Sequence, residues 1–184
     1  MSVAPPSIIP RPSPWFFWHE RRIRSGARVI DLACGEGRHS LAAAALGAHV
    51  VAVDRDEQAL ETGRQAAERH GLTVEWRQAD LEADWPEFGR FEAVLLFNYL
   101  DRARMPSVQD LLAPGGVLVM ETFLSAQREL GWGPTDPAHL LEPGELARLA
   151  APLEVIHGRE VLEPLEGNRW RAVASIVAAR PPAS

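Results

Sequence analysis

The chain has 184 residues, 46% of them hydrophobic and 24% charged, which is the size and composition of one domain with short extensions. Its single cysteine, Cys34, excludes an internal disulfide and any cysteine-based zinc or iron–sulfur site. The net charge of −6 is the wrong sign for a protein that mainly binds a phosphate backbone, and no apolar run reaches the roughly 18–20 residues of a membrane span.

The cationic residues are all arginine, 19 in number, which excludes lysine Schiff-base chemistry. Five of them lie within residues 1–28 against one glutamate, so this stretch carries +4 and the rest of the chain −10. The basic stretch is either solvated surface or a surface that attracts an acidic ligand. Early prolines interrupt the apolar run that a signal peptide needs, which predicts a soluble cytoplasmic protein.

Residues 1–26 form a predicted N-terminal segment rich in proline and aromatic residues, ahead of a domain over residues 27–180. The aromatic run from Trp15 to Trp18 either packs this segment onto the domain or covers a ligand as a lid.

The chain from residue 28 to 97 alternates short apolar runs with longer amphipathic ones. Gly47 and Gly71 are typical helix ends, and Asp56 is a predicted N-cap. The predicted elements are a strand at 28–33, a helix at 40–46, a strand at 49–53, a helix at 54–70 and strands at 73–77 and 91–97.

The remaining chain contains a predicted loop of about 18 residues, from 124 to 141, and a loop of that length in a compact domain is usually functional. The Glu166-Gly167-Asn168 segment is a hairpin signal. The predicted elements are a helix at 105–112, a strand at 117–123, a helix from Pro143 to about 150, and strands near 153–161 and 170–179.

This alternation predicts an α/β fold, with a doubly wound, mostly parallel seven-stranded sheet that has helices on both faces. The last two strands form a C-terminal antiparallel hairpin. Ligands of such open sheets bind beyond the carboxyl ends of the strands, so the loops there are the candidate site.

The loop after the first strand reads Asp31-Leu-Ala-Cys-Gly35-Glu-Gly37-Arg-His-Ser40. Its two glycines let the backbone turn sharply and pass close to a ligand. Asp54 ends the next strand, 19 residues after Gly35, where a carboxylate can accept hydrogen bonds from both hydroxyls of an adenosine ribose.

A dinucleotide site would share these features, but two residues argue against one. Ser40 stands where the dinucleotide fingerprint has a third small residue. Asp31 would repel a pyrophosphate and attract an ammonium group. S-adenosylmethionine has both an adenosine end and a cationic amino-acid end, so it is the predicted cofactor.

These residues also carry a resemblance to a known family. Val29 to Ser40 resembles motif I of class I S-adenosylmethionine-dependent methyltransferases, and its Arg-His-Ser ending is most similar to the small tellurite-resistance-type enzymes. Four later segments resemble the following motifs in the same order, over about residues 27–179. They are Val51-Ala-Val-Asp54, Gln78-Ala-Asp80-Leu81-Glu, Asn98-Tyr99-Leu100 and Leu112-Ala-Pro-Gly-Gly-Val-Leu-Val119.

The resemblance implies cofactor contacts and residues near the transferable methyl. His39, Asn98 and Tyr99 are the catalytic candidates, with positioning favoured over acid–base work. The predicted cofactor contacts are Asp31, Ala33, Gly35, Gly37, Arg38, His39, Asp54, Arg55, Asp80, Leu81 and Asn98.

Structural alternatives accompany several of these assignments. Asp31 and Asp54 are alternatively strand-end residues that accept from nearby amides, and Asp80 the N-cap of a short turn. Asn98 alternatively ends its strand with local hydrogen bonds, and Tyr99 packs through its ring. For Cys34, packing in a tight loop is favoured over reactivity. Trp132 and His139, in the long loop, are candidates for closing the pocket.

The predicted function is methyl transfer to a small-molecule acceptor by direct displacement, with a thiol or a metalloid oxyanion as the favoured acceptor. No metal, nucleic acid or membrane partner is expected, because the chain is acidic and lacks the Asn/Asp-Pro-Pro-aromatic signature of amino-methylating nucleic-acid enzymes. Either a monomer or a homodimer is compatible with the sequence. The alternatives are a non-catalytic S-adenosylmethionine-binding module and a nicotinamide-dependent oxidoreductase.

Overall fold

The computed structural model describes residues 11–183, so the predicted N-terminal segment is described only from residue 11. Four short 3-10 helices lie at Glu20–Arg22, Ser125–Leu130, Pro137–His139 and Glu166–Asn168. The helices and strands in chain order are α1 (Pro14–His19), β1 (Arg28–Leu32), α2 (Arg38–Ala45), β2 (His49–Asp54), α3 (Glu57–Arg69), β3 (Val74–Gln78), β4 (Phe91–Phe97), α4 (Met105–Asp110), β5 (Leu112–Phe123), α5 (Glu145–Ala150), β6 (Glu154–Leu165) and β7 (Arg169–Ala179).

The seven strands form one mixed sheet in the order β3-β2-β1-β4-β5-β7-β6. The chain divides into two compact units, one ending at Glu87 and one beginning at Phe88. In the first unit, β2 is parallel to both β1 and β3. In the second unit, β4 is parallel to β5, whereas β7 is antiparallel to both β5 and β6. The predicted seven-stranded sheet with a closing antiparallel hairpin is confirmed.

The first unit has its core between β1–β3 and the helices α2 and α3. Trp76 on β3 packs against two clusters of buried side chains, one with Cys34 and Leu60 and one with Leu41 and Ala66. A Cβ atom added at Gly37 would lie 2.4 Å from Cη2 of Trp76. The indole therefore fills the space beneath the glycine-containing loop.

The second unit has an almost wholly apolar β4 and β5 at its core, as expected for strands that are covered on both faces. The core of this unit also contains four charged side chains that pair only with one another among the ion pairs found, and we call them the β5–β7 ion network. It comprises Glu121, Arg159, Glu163 and Arg171, and each glutamate contacts both arginines. Because every charge has an opposite partner, the network links three strands without leaving a buried charge uncompensated.

Several boundaries differ from the predicted ones. Helix α2 begins at Arg38 rather than residue 40, because Gly37 is its left-handed N-cap. Strand β5 begins at Leu112 and includes the predicted turn Pro114-Gly115-Gly116. A Cβ at Gly116 would lie 2.9 Å from the carbonyl oxygens of Phe91 and Ala113, so glycine lets the chain pair closely there. The predicted loop 124–141 contains two 3-10 helices.

Candidate active site

The loop between β1 and α2, which we call the glycine loop (residues 33–37), is the tightest reversal in the first unit. Ala33, Gly35 and Gly37 all have positive φ angles, of 52°, 56° and 76°. The Gly37 amide donates to the Cys34 carbonyl over 3.0 Å. A left-handed alanine is strained, and strained backbone concentrates at functional sites.

Asp54 at the end of β2 is joined to the glycine loop by a direct hydrogen bond. Its Oδ2 accepts from the Gly35 amide over 2.7 Å, and its Oδ1 accepts from the Asp56 amide over 2.9 Å. Asp54 therefore accepts from nearby amides, as the structural alternative predicts. Each carboxylate oxygen has a second acceptor position, so these bonds leave capacity for ligand hydroxyls.

Asp31 lies inside the end of β1, with 1% of its surface exposed. The Ser40 hydroxyl donates to its Oδ2 over 2.5 Å. Burial raises the pKa of the Asp31 carboxyl from 3.8 to about 7, and the hydrogen bond from Ser40 opposes this rise only in part. Ser40 thus contacts the acid that the sequence singled out, a pairing that the spacing alone does not indicate.

Asp80 follows β3 and begins a short turn. Its Oδ1 accepts from the Glu82 amide over 3.0 Å, and its carbonyl accepts from the Asp84 amide. Leu81 beside it is buried. The Ala79 amide donates to the Asp54 carbonyl, which ties this turn to the end of β2. Arg55 is exposed, and its carbonyl accepts from Gln78.

His39, in the first turn of α2, is 2% exposed and contacts the N-terminal segment. Its Nε2 accepts from the Ser13 amide over 3.1 Å, and its ring lies 5.6 Å from that of Phe16. In this arrangement the accepting nitrogen is unprotonated and already bonded to protein. The contact favours positioning over general-base work, and the separation of 26 residues explains why no local sequence signal indicates it.

Helix α1 divides the aromatic run of the N-terminal segment between core and surface. Trp15 and Phe16 are buried, whereas Phe17 is 61% and Trp18 57% exposed. The Ser13 hydroxyl caps the helix by accepting from the Trp15 amide. Half of the run therefore packs this segment onto the first unit, and half lies at the surface.

Cys34 is buried in the glycine loop, and its thiol contacts the Gly35 carbonyl. Burial raises the pKa of this thiol well above its usual range, because the charged form would lose its solvation. This environment is that of a packing residue, as the sequence predicts.

Asn98 and Tyr99 follow β4 in the second unit. Asn98 is exposed with a positive φ of 57°, and its amide donates to the Glu121 carbonyl over 2.8 Å. Tyr99 is half-buried. Non-glycine residues adopt a positive φ in only a few per cent of cases, and such residues concentrate at functional sites. Asn98 is therefore still a candidate functional residue.

The long loop of the second unit is held by side chains rather than hinged. Arg102 donates to the carbonyls of Ala138 and Leu140 and pairs with Glu145, over 2.6 Å. Buried Gln127 donates to the Trp132 carbonyl and accepts from the Ala172 amide. The loop is thus a pre-formed wall of this unit, in which His139 is exposed.

Other site types find no support within residues 11–183. No group of three or more histidine, cysteine or acidic residues there has the arrangement to hold a metal ion. In the same part of the chain, none of the helices has the length and apolar character to cross a bilayer.

Part of the sequence matches a methyltransferase domain, and the chain is similar to curated methyltransferases. Residues 29–116 match the family described as a methyltransferase domain. A ubiquinone biosynthesis O-methyltransferase of Methylocella silvestris is 31% identical over 168 residues, covering 79% of this chain and 65% of that protein. A ribosomal protein L11 methyltransferase of Dechloromonas aromatica is 37% identical over 114 residues, covering 60% of this chain and 37% of that protein. The chain thus spans less than two thirds of either relative.

Solved methyltransferase structures share the fold. TehB from Haemophilus influenzae superposes with a TM-score of 0.74 at 21% identity, covering 89% of this chain and 60% of that chain. An S-adenosylmethionine-dependent methyltransferase from Methanosarcina mazei gives 0.74 at 18% identity, covering 94% and 100%. Residues 29–116 therefore match a methyltransferase domain, and the fold of the described residues is that of solved methyltransferases.

Proposed function

We propose that this chain transfers the sulfonium methyl group of S-adenosylmethionine to a small-molecule acceptor by direct displacement. The observation that carries the proposal is the bond between the Gly35 amide and Asp54, which fixes a glycine loop against a strand-end carboxylate. In a chain with a match to a methyltransferase domain, that pairing supports a nucleoside site at the carboxyl ends of β1 and β2.

The residues of the first unit fit the two ends of this cofactor. Asp54 has acceptor capacity left for ribose hydroxyls, because each oxygen receives one amide bond. Asp31 adds negative charge behind the glycine loop, which favours an ammonium group at the methionine end. Asp80 and Leu81 are proposed to border the adenine. The remaining proposed contacts are Ala33, Gly35, Gly37, Arg38, His39, Arg55 and Asn98.

The chemistry requires alignment more than proton transfer. S-adenosylmethionine supplies an already activated methyl group, so the protein's task is to orient the acceptor and exclude water. We assign His39 a positioning role, because its Nε2 accepts from Ser13. Asn98 and Tyr99 are proposed to position the acceptor. Without a free base in this assignment, acceptors that ionise readily are favoured, such as a thiol or a metalloid oxyanion.

The domain boundaries proposed are 27–180 for the methyltransferase domain and 1–26 for a segment that covers the cofactor. Support for the second comes from α1, whose contact with His39 brings the N-terminal segment to the first turn of α2. Phe17 and Trp18 add exposed apolar surface on the same helix.

Calorimetric titration with S-adenosylhomocysteine and with NADH separates the candidate functions. We expect S-adenosylhomocysteine to bind and NADH not to bind. A labelled-methyl screen over thiols, oxyanions, hydroxyl compounds and amines then tests transfer; the hydroxyl arm is included because one relative is named an O-methyltransferase. Binding without transfer to any acceptor would support a non-catalytic module, and binding of NADH alone would support an oxidoreductase.

Asp54→Asn is expected to weaken S-adenosylhomocysteine binding about 10- to 100-fold, because hydrogen bonds to a charged acceptor are lost. The matched control is Asp84→Asn, an exposed acid of the same unit, which should leave the affinity unchanged. Circular dichroism of both variants shows whether the fold persists. Equal affinities for wild type and a folded Asp54→Asn would remove Asp54 from the site.

A further inference from the structure

We propose that Arg169, stacked on Trp132, binds the planar oxyanion group of the methyl acceptor, so that the acceptor is a small organic anion with an apolar body. This inference rests on the proposed function and names the acceptor class for it. It depends on three features of the second unit: its charge balance, the fixed geometry of Trp132, and the end of the sheet at which both residues lie.

The charge balance of this end of the sheet places Arg169 outside the β5–β7 ion network. Strand residues two apart share a face, so Arg169 and Arg171 lie about 7 Å apart on the same side of β7. The β5–β7 ion network contains two arginines and two glutamates, and Arg171 pairs with both of those glutamates. No ion pair found among the described side chains includes Arg169. The carboxylates of the network are already bonded to its own two arginines.

The exposed side chain of Arg169 makes a cation–π contact with Trp132. The guanidinium carbon lies 5.1 Å from the centre of the indole ring. The indole is fixed in turn, because its Nε1 donates to the Trp170 carbonyl over 2.8 Å and its ring meets that of Phe123 edge-on at 6.1 Å. Buried Gln127 also binds the Trp132 carbonyl, over 2.9 Å. A guanidinium that lies over an aromatic ring can still present two N–H groups to a bidentate acceptor.

Both residues lie beyond the carboxyl end of β5. Phe123, the last residue of β5, pairs with Val173, so Arg169 extends four residues past that end. Asn98 follows the carboxyl end of β4, the parallel neighbour of β5. The carboxyl ends of parallel strands form the ligand-binding edge of such sheets, so the cation stands at the functional edge of this unit.

The ligand chemistry follows from these groups. A planar guanidinium edge matches a carboxylate or another planar oxyanion through two parallel hydrogen bonds. Phe123 and Trp132, both half-buried, offer apolar surface for the rest of the molecule. An organic anion uses both features, whereas an inorganic oxyanion uses only the first.

Calorimetry on the full chain saturated with S-adenosylhomocysteine tests the proposal with three probes: benzoate, its uncharged counterpart benzamide, and sulfate. We expect benzoate to bind with a dissociation constant of about 1 mM or tighter, and benzamide and sulfate each to bind at least about tenfold more weakly. Absence of benzoate binding would overturn the proposal. Sulfate binding as tight as that of benzoate would overturn the organic assignment.

Arg169→Ala should weaken benzoate binding about 10- to 100-fold and leave benzamide binding unchanged. Arg169→Lys should restore part of the loss, because the charge returns without the planar fork. The control is Arg148→Ala, an exposed arginine on α5, which should change neither. Equal losses for benzoate and benzamide in Arg169→Ala would mean that Arg169 only supports Trp132, which contradicts the proposal.

The two proposals fail in different ways. Loss of S-adenosylhomocysteine binding in the wild-type protein would overturn the proposed function, and it is measured before any anion is added. In Arg169→Ala, S-adenosylhomocysteine should bind as it does in wild type, since Arg169 is not among the proposed cofactor contacts.

Discussion

The two glycines of the glycine loop serve different physical purposes. A Cβ at Gly37 would lie 2.4 and 2.7 Å from two ring carbons of Trp76, whereas a Cβ at Gly35 would meet no atom within 4 Å. Both residues have positive φ angles, so both favour glycine on backbone grounds. Gly37 is therefore required by the core as well, while the open space at Gly35 is available to a ligand.

Gly37→Ala and Gly35→Ala form a matched pair that separates these purposes. We expect Gly37→Ala to lower the free energy of unfolding by about 2–4 kcal/mol, since overpacking adds to backbone strain. Gly35→Ala should cost only about 1 kcal/mol of strain and should instead weaken S-adenosylhomocysteine binding. Urea unfolding and calorimetry measure both quantities. Equal losses of stability in the two variants would contradict the assigned contact with Trp76.

Asp31 gives the first unit a pH-dependent stability. Its pKa is about 7 in the folded protein against 3.8 ordinarily, so the folded state holds the proton more tightly. The stabilisation is complete below about pH 4 and is lost as pH rises through 7. Asp31→Asn cannot ionise, so its free energy of unfolding relative to wild type should rise by about 2–3 kcal/mol between pH 5 and 8.

Urea unfolding of wild type and Asp31→Asn at both pH values measures this change, with Asp84→Asn as the exposed control. Parallel pH curves for wild type and Asp31→Asn would mean that Asp31 ionises in its ordinary range. A bound ammonium group favours the charged carboxylate, so wild-type affinity for S-adenosylhomocysteine should also increase over the same pH interval.

Among the elements, the hairpin of β6 and β7 is attached to β5 by charge as well as by backbone pairing. Glu121 on β5 is fully buried and contacts Arg159 on β6 and Arg171 on β7, at 3.2 and 3.0 Å. The Ser175 hydroxyl donates to the same carboxylate over 2.8 Å. Removing this one carboxylate leaves two arginines to share Glu163.

Glu121→Gln is expected to lower the free energy of unfolding by about 3–5 kcal/mol, because two largely buried cations are left with one carboxylate. Glu61→Gln, which breaks an exposed pair with Arg64 on α3, should cost much less, because solvent screens that pair. Chemical denaturation of the two variants provides the comparison. A cost for Glu121→Gln as small as that for Glu61→Gln would show that the network contributes little.

The long loop shows the limit of element prediction. Its length and glycines predict a functional loop with hinges, and in the structure Arg102, Gln127 and Trp132 hold it in place. Glycine content indicates where the backbone can turn, but it does not indicate which distant side chains will contact the loop. Two of these contacts, those of Arg102 and of Trp132, join residues that are 38 positions apart in the sequence.

For the whole molecule, much of the fold was predictable because it follows from local periodicity. Apolar runs and helix ends indicated every strand from β1 to β7, and the order of motifs indicated the resemblance to methyltransferases. The start of β5 was not predictable, because Leu112 pairs with β4 ahead of the Pro114-Gly115-Gly116 turn signal, and regular pairing resumes only at Val117.

The sequence alone determined the alternation of strands and helices, the mixed sheet and the positions of Asp31, Gly35 and Asp54 at strand ends, because these depend on spacing along the chain. Only the tertiary structure decided that His39 accepts from Ser13, that Trp76 fills the space under Gly37, and that Arg169 lies over the ring of Trp132. Those contacts join side chains from distant segments of the chain. They cannot be predicted from the sequence, because packing and charge pairing between distant segments do not recur at a fixed spacing.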